Sequence, residues 1–245
     1  MIPIGDDANP RGGFPIVNLA IIAINVAVFI FLQLPSDAFT MGFSAIPFEV
    51  THGKDLVGPV AVILQDGSRE TIVEAPGPSP IWLTLLTSTF MHGGWTHLGG
   101  NMLFLFIFGD NVEESFGSAL YLAFYLVVGV LASLTFVLFN PDSVIPSLGA
   151  SGAISGVLAA YLVLFPRNRV NVISFFGFFP FRYAVPAIVM IGLWALLQFV
   201  NGFGSIAVSE QTSGVAYMAH VGGFVAGIVG TLLLRPFVDR GSRYG

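Results

Sequence analysis

The sequence predicts an all-α membrane protein in which six transmembrane helices pack as one bundle. Three observations carry that expectation. Charged residues make up 9% of the 245 and hydrophobic ones 55%, against about 25% and 45–50% in soluble domains. A chain this apolar cannot cover itself with polar surface, so lipid is its solvent. Six apolar runs recur along the chain between polar, Pro-rich or Gly-rich connections. The bases, finally, collect on one side of a six-span arrangement. The absence of cysteine excludes disulfides, thiolate metal sites and a cysteine nucleophile.

Residues 1–13 are polar and turn-rich and read as a cytoplasmic segment. The first span is Phe14 to Leu34, interrupted only by Asn18, Asn25 and Gln33. It is too long for the apolar core of a signal peptide, so it reads as a retained span. Asn18 and Asn25, seven apart, share a helix face and are expected to hydrogen-bond to a neighbouring helix. Residues 35–80 form the longest connection, acidic through Asp37, Glu49, Asp55, Asp66, Glu70 and Glu74. Val60 to Leu64 and Glu70 to Glu74 predict a short hairpin around Asp66-Gly67. A connection this long inside a bundle is expected to carry structure or function of its own.

After Trp82 the chain runs through Leu83 to Phe90 and reaches Met91-His92-Gly93-Gly94-Trp95-Thr96-His97. The second span is Thr96 to Phe108, and Gly109 to Gly117 is expected to be a charged turn holding Asp110, Glu113 and Glu114. A third span, Ala119 to Phe139, ends at Asn140-Pro141-Asp142, and a fourth, Gly149 to Phe165, stops at Pro166. Arg167, Arg169 and Arg182 frame a Phe-rich connection, Phe175 to Phe181, expected at the membrane interface. The fifth span, Ala184 to Val200, holds Gln198, read as a packing contact, and Trp194, which is open between a gate and a lipid anchor. The Gly/Ser loop Asn201 to Val215 leads to the sixth span, Ala216 to Leu234. Residues 14–238 are therefore one domain, and 239–245 a cytoplasmic tail.

Of the nine bases, only Lys54 and Arg69 fall outside if both termini are cytoplasmic. Arg11, Arg167, Arg169, Arg182, Arg235, Arg240 and Arg243 then lie inside, the asymmetry expected of a multi-pass protein of the cell membrane.

Spans two, four and six run in one direction, and each carries polar residues in its first turns. His97 and Asn101 open span two, Ser151 opens span four, and His220 lies near the start of span six. At 1.5 Å rise per residue, each lies within about 10 Å of its helix start. Topology thus brings them to one layer near the outer face. The chemistry that needs such a set is acyl transfer by an activated serine, with Ser151 as nucleophile and His220 as base. His97 and Asn101, four apart on one helix face, and the backbone N–H of Ser151 are candidate oxyanion donors. No carboxylate starts a span at this depth, so a dyad is expected rather than a triad. Gly152 and Gly156 on span four, with Gly223 and Gly227 on the face of His220, let the two backbones approach closely.

These residues resemble the rhomboid intramembrane serine proteases. The resemblance rests on Met91-His92-x4-His97-x3-Asn101, Gly109-x3-Glu113-x3-Gly117, Gly149-x-Ser151-Gly152 and Ala219-His220-x2-Gly223-x3-Gly227. It covers nearly the whole chain and implies the same dyad and oxyanion site. It also implies a loop after span one lying sideways in the outer leaflet, and transmembrane segments of membrane proteins as substrates, cut near their outer end. Two positions depart from some members: Leu83, rather than Arg, follows Trp82, and Ser155 stands where an aromatic ring would stack on the histidine. Another group must therefore orient His220. His92, outside the dyad, is expected to make a structural hydrogen bond, and Glu113 to fix the inner loop.

Three other readings bear on these residues. Zinc at His92, His97 and His220 is disfavoured, because a spacing of five turns the first two rings off a common helical face. A small-solute transporter would show broken helices and internal repeats. A catalytically silent relative that only binds transmembrane helices would be expected to have lost Ser151 or His220. No cofactor, metal or nucleic-acid partner is expected; the partners are substrate segments and the lipid bilayer.

Overall fold

The structure, a computed structural model, describes residues 2–7, 13–63, 69–207 and 216–237. Arg11, Arg240, Arg243, the Asp66-Gly67 turn and the 239–245 tail lie outside the described residues. Most of the rest is helical. Helix α1 (Ile16–Val28) runs on as a π turn, Phe29–Gln33. Together with α6 (Ser118–Phe139) and α9 (Tyr217–Leu234), it makes three helices among the described residues that are long and apolar enough to cross a membrane. Helix α7 (Ser151–Leu164) and the stretch Ala187–Gly202 of α8 (Ala187–Ala207) are apolar but shorter.

Helix α7 is the axis of the bundle. Every residue from Gly152 to Tyr161 is buried, as expected of a helix apolar on all sides. Its closest neighbour is α9, and glycine makes that approach possible. A methyl group on Gly223 would lie 2.0 Å from the carbonyl oxygen of Gly152, and one on Gly227 would lie 2.5 Å from the Cα of Gly156.

Helix α5 (Trp95–Phe116) does not stop where the apolar run ends. The stretch 109–116, expected as a turn, is helical, and the break comes only at Gly117, whose φ of +77° ends α5 before α6 begins. Gly109 is a contact point rather than a helix breaker, since a methyl there would lie 2.2 Å from Asn18 Oδ1. The extra helical turns deliver Glu113 to the start of α1. Its carboxylate accepts the backbone N–H groups of Val17 (3.1 Å) and Asn18 (2.7 Å) and the hydroxyl of Ser118 (2.5 Å). It thereby satisfies donors that α1 leaves free at its first turn. Asn18 donates to the Leu105 carbonyl and accepts from Tyr121, so it bridges helices. Asn25 donates its amide to the Ile21 carbonyl of its own helix and lies beside Tyr125 of α6.

The fold is not purely α-helical. Strand β1 (Ile2–Asp6) pairs antiparallel with β4 (Arg169–Phe176), which pairs with β5 (Phe179–Pro186). The amino-terminal segment, expected to be turn-rich, and the Phe-rich connection, for which no strand is expected, therefore form one three-stranded sheet. Val, Ile, Phe and Tyr favour strands, and Gly177, with φ +59°, supplies the two-residue turn with Phe178. Val170 and Val172 face the bundle and are buried.

Connection 35–80 is also structured. It contains α2 (Asp37–Phe43), α3 (Pro47–His52) and the hairpin β2 (Gly58–Ile63) with β3 (Arg69–Glu74). After it come a 3-10 turn (Ile81–Leu83), the short α4 (Thr84–Thr87) and a second 3-10 turn (Ser88–Phe90). Backbone bonds tie the connection to the segment leading into α7: Ala45 and Ser147 exchange two at 2.9 Å, and Phe48 N–H donates to Ser143. Inside it, Glu49 and Glu74 are each only 2% exposed. Glu49 accepts the N–H of Leu56 at 2.7 Å, whereas neither Glu74 oxygen has a partner among the described residues. Burial pushes both carboxyls up to about 7, helped at Glu49 by Asp55 and at Glu74 by Glu49.

Candidate active site

Ser151 is the first residue of α7, and His220 sits in the first turn of α9. The glycine contacts just described hold the two helices together. His220 Nε2 lies 2.7 Å from Ser151 Oγ. On the other side of the ring, Nδ1 lies 2.8 Å from Oε1 of Gln198, on α8. An amide oxygen can only accept, so Nδ1 must carry the hydrogen. In the neutral ring Nε2 is then a bare acceptor, aimed at the serine hydroxyl. Gln198, expected only to pack, is thus the group that sets the tautomer. Trp194, one turn earlier on α8, has its ring 5.9 Å from the imidazole, which places it at the site rather than against lipid alone. Ser155 bonds the Ser151 carbonyl of its own helix and does not reach the ring.

His97, in the first turn of α5, has the opposite tautomer. Its Nδ1 accepts the backbone N–H of Gly93 at 3.2 Å, so in the neutral ring the hydrogen sits on Nε2. Gly149 lets that edge come close to the serine. A methyl built on it would fall 3.1 Å from His97 Nε2 and 3.4 Å from Ser151 Oγ, at a φ of +145° that disfavours any side chain. A donor and a hydroxyl therefore flank one atom-sized space. Asn101, one turn along α5 from His97, is buried, and its Nδ2 has no partner among the described residues. The first N–H groups of α7, Ser151 included, lack intrahelical acceptors.

His92 is held by its backbone, not by its ring. Gln33, at the end of the π turn, accepts its N–H at 2.8 Å and donates to its carbonyl at 3.1 Å. The ring stands edge-on to His97 at 5.2 Å. Glu113 lies at the far end of α5 and serves α1 instead. Ser88, Ser133, Ser147 and Ser151 help line a cavity of about 20 Å³ beside Gly149, large enough for a water molecule. Among the described residues, no group of three or more potential metal ligands occurs.

Fold and site together define a membrane protein in which a serine hydroxyl and an imidazole nitrogen meet at the starts of two adjacent helices. Residues 80–237 match the Rhomboid domain, and the chain belongs to the rhomboid family. It is 34% identical to Rhomboid protease GluP of Bacillus subtilis over 161 residues, covering 66% of this chain and 27% of that one. It is 30% identical to RHOMBOID-like protein 4 of Arabidopsis thaliana over 235 residues, 92% of this chain and 55% of the relative. Rhomboid protein 1, mitochondrial, of Saccharomyces cerevisiae is 30% identical over 152 residues, 60% of this chain and 40% of the relative. The chain thus spans roughly a quarter to a half of these relatives' lengths.

Proposed function

We propose that the protein is an intramembrane serine endopeptidase that cuts transmembrane segments of membrane proteins near the face on which α7 begins. The observation that carries this reading is the 2.7 Å contact between Ser151 Oγ and His220 Nε2, with the tautomer fixed by Gln198. His220 takes the hydroxyl proton as Oγ attacks the peptide carbonyl carbon. The resulting oxyanion receives hydrogen bonds from His97 Nε2, Asn101 Nδ2 and the backbone N–H of Ser151. As the intermediate collapses, His220 returns the proton to the leaving amine, and an acyl-enzyme ester remains. Water held in the serine-lined cavity then attacks the ester by the same steps in reverse. The six apolar helices α1, α5, α6, α7, α8 and α9 act as spans. Both termini are cytoplasmic, and the site opens toward the outer face of the cell membrane.

The test uses purified protein in liposomes with a fluorescent transmembrane-segment reporter. Wild type is expected to cut and Ser151→Ala to be silent; equal cleavage by the two removes the dyad assignment. Asn101→Ala should slow turnover by about 100-fold or more, while a serine-reactive phosphonate still labels Ser151. Lost labelling together with lost thermal stability would instead assign Asn101 to packing. A folded wild type that neither cuts nor labels, yet binds the reporter, would make the chain a helix-binding member of the family.

A further inference from the structure

The β4–β5 hairpin carries a patch that neither the bundle nor the proposed chemistry uses. Phe176 is 81% exposed, Phe178 99% and Phe179 79%, and Phe175 and Phe181 are also exposed. Five phenyl rings thus crowd the Gly177-Phe178 turn with no helix over them. An apolar cluster of this kind marks a binding surface rather than ordinary solvent-facing chain.

Its position in the chain identifies the occupant. The connection to the hairpin leaves the bundle after Leu164, where α7 ends, and re-enters at Ala187, where α8 begins. Thirteen residues of α7 follow Ser151 before the chain turns toward the hairpin, about 20 Å along the helix axis. The hairpin therefore springs from the ends of two apolar helices on the side remote from Ser151. The cations are sorted along the same axis. Arg167 and Arg169 stand at the hairpin base and Arg182, opposite Ile173, lies part-way up; all three are exposed. Rings at the tip with guanidinium groups behind them match the order of acyl chains and anionic headgroups across one leaflet. A protein partner would need neither that layering nor this closeness to the helix ends.

We infer that the Gly177-Phe178 tip inserts into the lipid leaflet remote from Ser151, with Arg182 at the level of its phosphates and Arg167 and Arg169 behind it at the hairpin base. The hairpin is then a membrane anchor placed directly ahead of α8. This does not depend on proteolysis, and its test needs none.

The chain has no cysteine, so Phe178→Cys in the Ser151→Ala background offers one thiol for an environment-sensitive nitrobenzoxadiazole label. Because position 178 is fully exposed, the substitution leaves the packed core untouched, and Phe176→Cys provides a second site. The labelled protein goes into vesicles of phosphatidylcholine with and without phosphatidylglycerol. Lys54→Cys, in connection 35–80, serves as the reference. The expected result is a blue-shifted emission at 178, quenched by nitroxide-bearing lipids and not by aqueous iodide, with a larger shift when phosphatidylglycerol is present. Iodide quenching without lipid quenching would place the tip in water and overturn the inference. Quenching by neither would place it in a protein interface and overturn it equally. An emission indifferent to anionic lipid would overturn the role given to the arginines.

Discussion

Replacing Gln198 by Leu tests how the imidazole is prepared for its task. In the resting site, Nδ1–H of His220 donates to Oε1 at 2.8 Å, a neutral bond worth about 1 kcal/mol net. In the proposed mechanism His220 takes the serine proton and the ring becomes an imidazolium. The same bond is then charge-assisted and worth about 2–3 kcal/mol. Only the difference, about 1–2 kcal/mol, belongs to the chemical step. Gln198→Leu should therefore lower kcat by about 5- to 30-fold. KM for a transmembrane reporter should stay near its wild-type value, because the Gln198 bond is made to the imidazole ring. Gln198→Glu keeps an acceptor at the same reach and should restore most of the rate. The assay is steady-state cleavage in liposomes, with thermal unfolding of each variant in parallel. Equal losses in the Leu and Glu variants, or a loss of rate that tracks a loss of melting temperature, would refute this role and leave Gln198 a packing residue.

Two further predictions concern stability. Gly223→Ala sets a methyl 2.0 Å from the Gly152 carbonyl oxygen, so it should destabilise the fold by about 1–3 kcal/mol and depress activity with it. Gly192→Ala, which meets nothing within 4 Å, should leave the melting temperature unchanged. The second prediction rests on Glu49 and Glu74, whose carboxyls are raised from 4.5 to about 7. The folded state then binds more protons than the unfolded one between these values, so stability should fall as pH rises from about 4.5 to 7 and level off above. Glu74→Gln removes one of the two charges, so in thermal melts its pH slope should be shallower than that of wild type; an identical slope would show that Glu74 does not titrate in this window.

The groups gathered at the candidate site are readable in the sequence because they depend on helix starts, which hydropathy marks well. Ser151, His220, His97 and Asn101 each follow a polar loop, and alternate spans share a direction. The glycine seam was readable for a similar reason, since Gly152 with Gly156 and Gly223 with Gly227 repeat at one-turn spacing. Gln198 was not. It lies 22 residues before its partner, on a helix whose rotation about its own axis no local pattern fixes. The sheet is not legible in the sequence because its signal is split. Ile2–Asp6 is too short to read alone, and the phenylalanines around Gly177 form an unbroken apolar run rather than an alternation. The end of α5 was misplaced by reading Asp110, Glu113 and Glu114 as a solvated turn. The acids are helical because Glu113 has the unpaired donors of α1 to bind.

The pairing of β1 with β4 sets an order of assembly. Ile2 lies opposite Ile173 and Asp6 opposite Val170, and the Asp6 carboxylate also accepts from Tyr161 and Asn111. Every one of these partners is synthesised long after β1. During translation the first strand must wait, unpaired, while α1, α5, α6 and α7 are made, and it can dock only once β4 has emerged. β1, made before all of them, is among the last elements fixed, and its docking closes the end of the bundle remote from Ser151.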